Sequence, residues 1–306
     1  MKLMVAILVA LVLAPSALAE FAPTQPITHT RSVRILYRAH DGVMRPAWLL
    51  LPANYDGRPI PLVISPHGRG VSAVGNASYW GDLPGVGRFA VINPGGEGRR
   101  LHAYSWGDPG QIADLARMPS IVESHGVRVD RSRIYAVGGS MGGQETLLLV
   151  ARYPHLLAGA AAFDPATDMR RRYYDFARLK GGASLQALAR QEFGGTPTQV
   201  PNAYAQRSPD HFVRQIAHSN VPLQLYWSLA DRVITDQTAE TGALADLIVR
   251  SDGEAKLWEF RGDWVHTAEM RATRRLPRAL VRFGLISPRD APPPTPAVRR
   301  ARTRLV

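Results

Sequence analysis

A serine that could act as a nucleophile lies in the run Gly138-Gly139-Ser140-Met141-Gly142. An apolar extended run, 133–137, leads into it, and residues 144–153 that follow have the pattern of a helix. A serine on a tight strand-to-helix turn is held above the carboxyl end of a sheet, with a helix N-terminus facing it. We therefore predict Ser140 as the nucleophile. The alternative is a glycine-rich turn in which the serine only caps the helix.

Serine chemistry needs a histidine that takes the hydroxyl proton and a carboxylate that orients the histidine. His266 follows an extended run, 256–260, and therefore lies at the carboxyl edge with Ser140, whereas His218 precedes a strand at the opposite edge. We predict His266 as the base. Asp231, in the loop after the preceding strand, is the predicted acid, and Asp236 is the runner-up, although its place before a helix suits an N-cap.

The oxyanion of an acyl-transfer intermediate needs backbone donors. The amide of Met141, the residue after the nucleophile, is one predicted donor. The second should come from the loop Pro66-His67-Gly68-Arg69-Gly70, which follows the strand 61–65. The sequence does not choose between Gly68 and Arg69 for this role. His67 is interpreted as a residue that braces the loop.

The elements that must position these residues alternate between strands and helices. Continuous apolar runs, typical of strands covered on both faces, are separated by amphipathic stretches, which predicts an α/β fold with a mostly parallel sheet and helices on both faces. An antiparallel pair, joined by a turn at Asp41-Gly42, precedes it. The predicted strands are 33–38, 47–51, 61–64, 89–92, 134–137, 159–163, 222–227 and 256–260, and the predicted helices are 111–124, 144–153, 237–250 and 267–283.

The chain divides into segments of different composition. Residues 1–19 have a short apolar core ending in Ala17-Leu18-Ala19, the pattern of a cleaved secretory signal, so we expect an exported protein, extracellular or periplasmic. An uncleaved anchor is the alternative, because Lys2 alone forms the positive region. An extended lead-in, 20–32, a catalytic domain, 33–286, and a disordered basic tail, 287–306, follow. Residues of about 165–219 interrupt the alternation and are interpreted as a lid inserted in the catalytic domain.

Composition excludes several functional classes. The chain has no cysteine, which excludes disulfides, thiolate metal sites and a cysteine nucleophile. Its net charge of +12 is not accompanied by a nucleic-acid-binding module, so we predict no nucleic-acid partner and only loose attraction to anionic cell-envelope material. The histidines are scattered and no phosphate-binding loop is complete, so no metal and no cofactor is predicted.

Two further groups of residues lie near the predicted mouth of the site. Trp80, Trp106, Trp227 and Trp264 fall in or beside loops there, and one or two of them are expected to touch substrate. The run Arg170 to Arg172 lies in the insertion and is interpreted as a solvated face or a set of salt bridges.

The segment from Arg133 to Gly143 resembles the nucleophile segment of the prolyl-oligopeptidase group and related secreted esterases, within the α/β-hydrolase superfamily. The runs Glu192-Phe193-Gly194-Gly195 and Arg207-Ser208-Pro209 are similar as well. The resemblance covers roughly residues 61–283 and implies the same triad: Ser140, Asp231 and His266. Peptidases of the group usually carry a β-propeller ahead of this domain, for which the chain has no room.

These observations predict a secreted serine hydrolase that cleaves carboxylic esters, small or polymeric, through an acyl-enzyme, similar to feruloyl esterases or polyester depolymerases. A peptidase or amidase acting on short peptides with the same triad is the alternative. A third hypothesis, an inactive exported binding protein, is disfavoured because nucleophile, acid and base occur intact and in order.

Overall fold

The computed structural model of the protein describes residues 29–96, 104–253 and 255–291. The predicted signal peptide lies outside these ranges, as do most of the extended lead-in and most of the basic tail. No helix within the described ranges has the length and apolarity that a membrane span requires.

An eight-stranded sheet forms the centre of the described chain. Its order is β1-β2-β4-β3-β5-β6-β7-β8, with antiparallel pairing of β1 with β2 and of β2 with β4, and parallel pairing elsewhere. This confirms the predicted fold class and the antiparallel entry pair. The strands are β1 (Thr30–Arg38), β2 (Met44–Pro52), β3 (Ile60–Ile64), β4 (Ala90–Pro94), β5 (Val129–Gly139), β6 (Gly159–Phe163), β7 (Leu223–Ser228) and β8 (Leu257–Gly262).

The continuous apolar character of the strands follows from burial on both sheet faces. Successive side chains of a strand point to opposite faces. In β3, Leu62 and Ile64 therefore join a core cluster with Leu148 of the helix after β5, whereas Val63 joins a second cluster with Trp80 on the other face. Burying this apolar area, at about 25 cal/mol per Å², is what holds the strands in place.

Helices cover both faces and the carboxyl edge of the sheet. The prediction of a helix at 267–283 is wrong at its N-terminal end, because the helix begins only at Leu276. The residues before it, from Thr267 to Arg275, form turns, and Thr267 has a φ of 55°. The helix predicted at 237–250 begins as a π-helical turn, Thr238–Gly242. The α-helices are α1 (Ala73–Ala77), α2 (Leu83–Gly87), α3 (Pro109–Ser124), α4 (Met141–Arg152), α5 (Met169–Phe176), α6 (Gly182–Phe193), α7 (Pro201–Ala205), α8 (Val213–Ala217), α9 (Ala243–Arg250) and α10 (Leu276–Arg282).

Helix α4, which begins directly after Ser140, is almost completely buried. Every residue from Met141 to Ala151 is buried, because the helix packs on β5 and β6 and also contacts α3 and α8. The segment 165–219 contributes α5 to α8, and its aromatic residues form a third core cluster together with Met141 and Trp106. The start of α4 therefore packs against the sheet and against the third core cluster. The role of this segment as a lid stays a prediction.

Candidate active site

The turn that carries Ser140 joins β5 directly to α4. Its backbone has φ of 58° and ψ of −123°, a conformation that is strained for a residue with a side chain. The Ser140 amide donates to the Phe163 carbonyl at 2.8 Å, which fixes the turn against the end of β6. The serine side chain makes no capping hydrogen bond to α4, so the simple-cap alternative does not describe this turn.

The glycines around Ser140 are required by close backbone contacts. A Cβ atom on Gly142 would lie 2.2 Å from the Pro66 carbonyl oxygen, and one on Gly138 would lie 2.2 Å from the Gly142 carbonyl oxygen. Neither distance is tolerable for non-bonded atoms. The loop after β3, the end of β5 and the start of α4 therefore meet with no room for a side chain, and this packing holds the serine hydroxyl at the surface of the turn.

Asp231 lies in the loop after β7 and is held by backbone amides. Its Oδ1 accepts hydrogen bonds from Val233 and Ile234 at 2.8 and 2.9 Å, and its Oδ2 lies 2.6 Å from Nδ1 of His266. Burial alone would raise the pKa of Asp231, but the hydrogen bond and charge of His266 and the two amides hold that pKa below its ordinary value. The carboxylate therefore stays ionised beside the imidazole.

The runner-up acid, Asp236, has a different role. Its Oδ1 accepts from the amide of Ala239 at 3.1 Å, as a helix-capping residue does, and its Oδ2 pairs with Arg171 at 2.6 Å near the surface. The structure thus brings Asp231, and not Asp236, to His266.

His266 lies in the loop after β8, which is tied to the end of β7. The Ser228 hydroxyl accepts from the Trp264 amide at 2.8 Å and donates to the Trp264 carbonyl at 2.5 Å. His266 and Ser140 line the same cavity, together with Thr267 and Met270. Within the described residues no hydrogen bond joins the two side chains, and catalytic contacts of this kind tighten around substrate.

The predicted oxyanion donors lie beside the nucleophile. Gly68 approaches so closely that a Cβ atom on it would lie 3.7 Å from Cβ of Ser140, and Arg69 lines the cavities that contain Ser140. The Gly68 carbonyl is engaged by Nδ1 of His67 at 2.9 Å and by the amide of Val71 at 3.0 Å, which fixes the peptide that carries the Arg69 amide. His67 is buried, and burial lowers its pKa, so it braces the loop as a neutral ring.

One buried acid at the site, Asp164, was not predicted from the sequence. It follows β6, has φ of 44°, and accepts hydrogen bonds from Nε1 of Trp264 at 3.0 Å and from the amide of Thr267 at 2.7 Å. Burial, with the nearby charge of Asp231, raises its pKa to about 7, although the charge of His266 opposes this. Asp164 therefore holds the residues on both sides of His266. Its position at the carboxyl end of a buried strand next to β5 is the signal that could have found it.

A metal ion would find few ligands here. Among the described residues, Asp164, Asp231 and His266 form one group whose ligand atoms lie within 4.8 Å of one another. Nδ1 of His266 is already hydrogen-bonded to Asp231, and the Asp164 carboxylate is occupied by Trp264 and Thr267. These hydrogen bonds account for the close approach of the three side chains without a bound cation.

The outcome for the other sequence features is mixed. Of the four tryptophans, Trp106 lines a cavity with Ser140, whereas Trp80, Trp227 and Trp264 are core residues. The interpretation of the run Arg170 to Arg172 as a solvated face or a set of salt bridges holds for the exposed Arg170 and for Arg171, which pairs with Asp175 and Asp236. It is wrong for Arg172, which is buried and lines the Trp106 cavity. Arg172 lies on the buried face of α5, three residues after Met169 and four before Phe176, so helical spacing could have identified it.

Comparison with known proteins places this site in a family. Residues 88–269, more than half of the chain, match the model of the prolyl oligopeptidase family. The chain belongs to the prolyl oligopeptidase family. The matched segment contains β4 to β8, together with Ser140, Asp231 and His266. Membership of this family establishes the protein as a serine hydrolase with the α/β-hydrolase fold.

Individual relatives of this family member include both peptidases and esterases. The poly(3-hydroxyalkanoate) depolymerase C of Paucimonas lemoignei is 30% identical over 120 residues, which cover 36% of this chain and 28% of that protein. A puromycin-hydrolyzing peptidase of Mycobacterium tuberculosis superposes with a TM-score of 0.61 at 20% identity, over 79% of this chain and 37% of that one. An esterase of Rhizomucor miehei superposes with a TM-score of 0.60 at 12% identity, over 80% of this chain and 78% of the esterase. The chain thus spans about a third of the length of the depolymerase and the peptidase.

Proposed function

We propose that the protein is an exported serine esterase that hydrolyses carboxylic esters through Ser140, His266 and Asp231. The observation that carries this proposal is the 2.6 Å contact of Asp231 with Nδ1 of His266, in a loop that lines one cavity with the strained Ser140. With Nδ1 engaged, Nε2 is the nitrogen left to accept the serine proton.

The geometry supports an acyl-enzyme mechanism. His266 takes the proton of Ser140 as the hydroxyl attacks the ester carbonyl, and the ionised Asp231 stabilises the imidazolium. The tetrahedral oxyanion is held by the amide of Met141, at the N-terminus of α4, and by that of Gly68 or Arg69. His266 then gives its proton to the departing alcohol, and a water molecule, activated in the same way, releases the acid.

Two relatives favour an ester over a peptide bond. The depolymerase and the fungal esterase both act on esters by name, and the fungal esterase matches this chain over most of both lengths. A peptidase acting on short peptides is the second candidate, and it is favoured by the family model and by the peptidases among the solved structures. Export to the periplasm or the medium rests on residues 1–19 of the sequence.

A substrate panel tests this proposal. The mature chain and Ser140→Ala are compared on short-chain nitrophenyl esters and on aminoacyl nitroanilides of matched size. We expect ester turnover that depends on Ser140 and exceeds amide turnover. Faster amide turnover would replace the esterase by the peptidase, and equal ester activity of Ser140→Ala would contradict both. Expression of the full chain with N-terminal sequencing tests export, for which cleavage after Ala19 is expected.

A further inference from the structure

Two cavities of different size and chemistry meet at Ser140. One, of about 180 Å³, is lined by His266, Thr267 and Met270. The other has a volume of only about 20 Å³, room for little more than one water molecule. Residues that line this second cavity, which we call the arginine cavity, include Arg69, Trp106, Met141, Met169, Arg172 and Phe176.

Arg172 is a buried cation in the arginine cavity. Its side chain comes from α5 and the residue is only 3% exposed, with the guanidinium 5.0 Å from the centre of the Phe176 ring. Nη2 donates to the Val233 carbonyl at 2.9 Å, whereas Nη1 is buried and has no hydrogen-bond partner among the residues that the structure describes. Buried polar groups are nearly always hydrogen-bonded, so a guanidinium with an unpaired nitrogen, on a residue that lines a cavity beside a nucleophile, can still accept a small rearrangement toward an acceptor in that cavity.

Arg69 places a second cation in the same cavity. Its guanidinium lies 5.8 Å from the centre of the same Phe176 ring, and within the described part of the chain no hydrogen bond or ion pair engages it. Burial and the charge of Arg172 both lower the pKa of Arg69. Two like charges that converge on a small cavity repel each other unless an anion lies between them.

Two of the acids around Arg172 are bound to other partners, whereas Glu240 uses one carboxylate oxygen in hydrogen bonds and leaves the other, Oε1, without one. Glu240 accepts from the Thr167 and Asp168 amides through Oε2, and burial raises its pKa, whereas Asp231 is bound to His266. Asp175 pairs with Arg171 and Arg178. Glu240, Asp175 and Asp231 attract Arg172 at longer range, but no ion pair within the described residues joins any of them to it.

We propose that the arginine cavity binds a carboxylate in the acyl part of the substrate, so that the preferred substrates are monoesters of short dicarboxylic acids. This inference rests on the proposed esterase function. His266 must protonate the leaving alcohol, which assigns the alcohol to the wider cavity that His266 lines and directs the acyl part toward the arginine cavity. The cavity has room for little more than the carboxylate itself, so the chain that joins the carboxylate to the ester carbonyl at Ser140 must be short. A planar carboxylate matches the paired N–H groups of a guanidinium. Hydrolysis consumes water and releases the dicarboxylate and the alcohol.

Matched substrates test the charge preference. Monoethyl succinate and ethyl butyrate differ only in whether the acyl chain ends in a carboxylate or a methyl group. We expect kcat/KM to favour the succinate monoester by roughly tenfold or more, mainly through KM, since a charge-assisted hydrogen bond is lost from the neutral ester. A wild-type ratio near one, or a preference for ethyl butyrate, would overturn the proposal.

Variants locate the preference in the cavity. Arg172→Met should bring the ratio of the two kcat/KM values to near one, and Arg172→Lys should restore part of it. Arg170→Met, an exposed neighbour on the same helix, is the control and should keep the wild-type ratio. An unchanged ratio in Arg172→Met would refute the assignment. If Arg172→Met does not fold, Arg69→Gln provides the same comparison from a partly exposed position.

A binding measurement separates this inference from the esterase proposal. Succinate, at constant ionic strength, should raise the melting temperature of the wild type more than butyrate does, and Arg172→Met or Arg69→Gln should abolish the difference. Stabilisation by succinate without any ester turnover would support carboxylate binding in the arginine cavity and refute the proposed esterase function. Ester turnover with neither stabilisation by succinate nor a preference for the charged ester would support the esterase function and refute carboxylate binding in the arginine cavity.

Discussion

Replacing Asp231 by Asn should abolish most activity while leaving the fold intact. The amide oxygen of Asn can still accept the hydrogen bonds of Val233 and Ile234, so the loop after β7 keeps its shape. The amide NH₂ then faces Nδ1 of His266 in place of the carboxylate oxygen 2.6 Å away. A donor at this position forces the histidine proton onto Nε2, the nitrogen that must accept the proton of Ser140.

The expected loss follows from this tautomer change. The corresponding substitution in a serine-histidine-aspartate site lowers kcat by about 10⁴-fold, or about 5 kcal/mol of transition-state stabilisation. The pKa of Asp231 is lowered in the folded protein, so Asp231 also stabilises the fold above the unfolded pKa, and this contribution is lost as the pH falls through the folded pKa. Removal of the charge should therefore cost about 1–3 kcal/mol of unfolding free energy at neutral pH.

Asp236→Asn is the matched control. Asn still caps the turn at Ala239, and only an exposed ion pair with Arg171 is lost, which is worth about 0–1 kcal/mol. Steady-state kinetics on a nitrophenyl ester, with urea denaturation of each variant, measure both effects. Activity of Asp231→Asn within about tenfold of the wild type, or a comparable loss in Asp236→Asn, would refute this account of the acid.

Two further predictions concern the packing and protonation of the site. Gly142→Ala places a methyl group 2.2 Å from the Pro66 carbonyl and should lower the melting temperature by roughly 5–10 °C and activity by about 100-fold, because the loop carrying Gly68 must move. Gly195→Ala is the control, because the added methyl group meets side-chain atoms of Gln199 at 3.2 Å and of Val200 at 3.5 Å and no backbone atom; equal melting temperatures of the two variants would contradict the argument. Asp164 has a folded pKa of about 7 against 3.8 in the unfolded chain, so the wild type should lose up to roughly 4 kcal/mol of unfolding free energy as the pH rises from about 4 to 7. Asp164→Asn lacks this dependence, and urea denaturation that gives parallel pH profiles for the two proteins would contradict the burial of an ionisable acid there.

The sheet and the three residues of the proposed triad could be predicted because each leaves a local signal. Ser140 has glycines on both sides between an apolar run and a helix, and His266 and Asp231 each follow a strand of the same parallel sheet. Parallel strands end at one edge, so chain order was enough to select these residues. Their catalytic roles remain predictions that the experiments above address.

The remaining features depend on packing between segments that are distant in the chain. Asp164 resembles an ordinary turn residue before Pro165, and only the folded chain brings Trp264 and Thr267 to its carboxylate. Arg172 carries a charge, which suggested a solvated surface, although its spacing on α5 places it on the buried face. Residues 267–275 have helical composition, but the loop adopts turns because Thr267 is bound to Asp164 and the Glu269 carbonyl accepts the amides of Arg275 and Leu276.

Mass spectrometry of a fluorophosphonate adduct tests the central claim most directly. The wild-type protein is treated with the reagent at neutral pH, digested, and the modified residue is sequenced, with Asp236→Asn treated in parallel. The account predicts one adduct, on Ser140, which forms at the wild-type rate in Asp236→Asn and is strongly slowed in Asp231→Asn. An adduct on another serine, or no adduct on a folded protein, would contradict the assignment of Ser140 as the nucleophile.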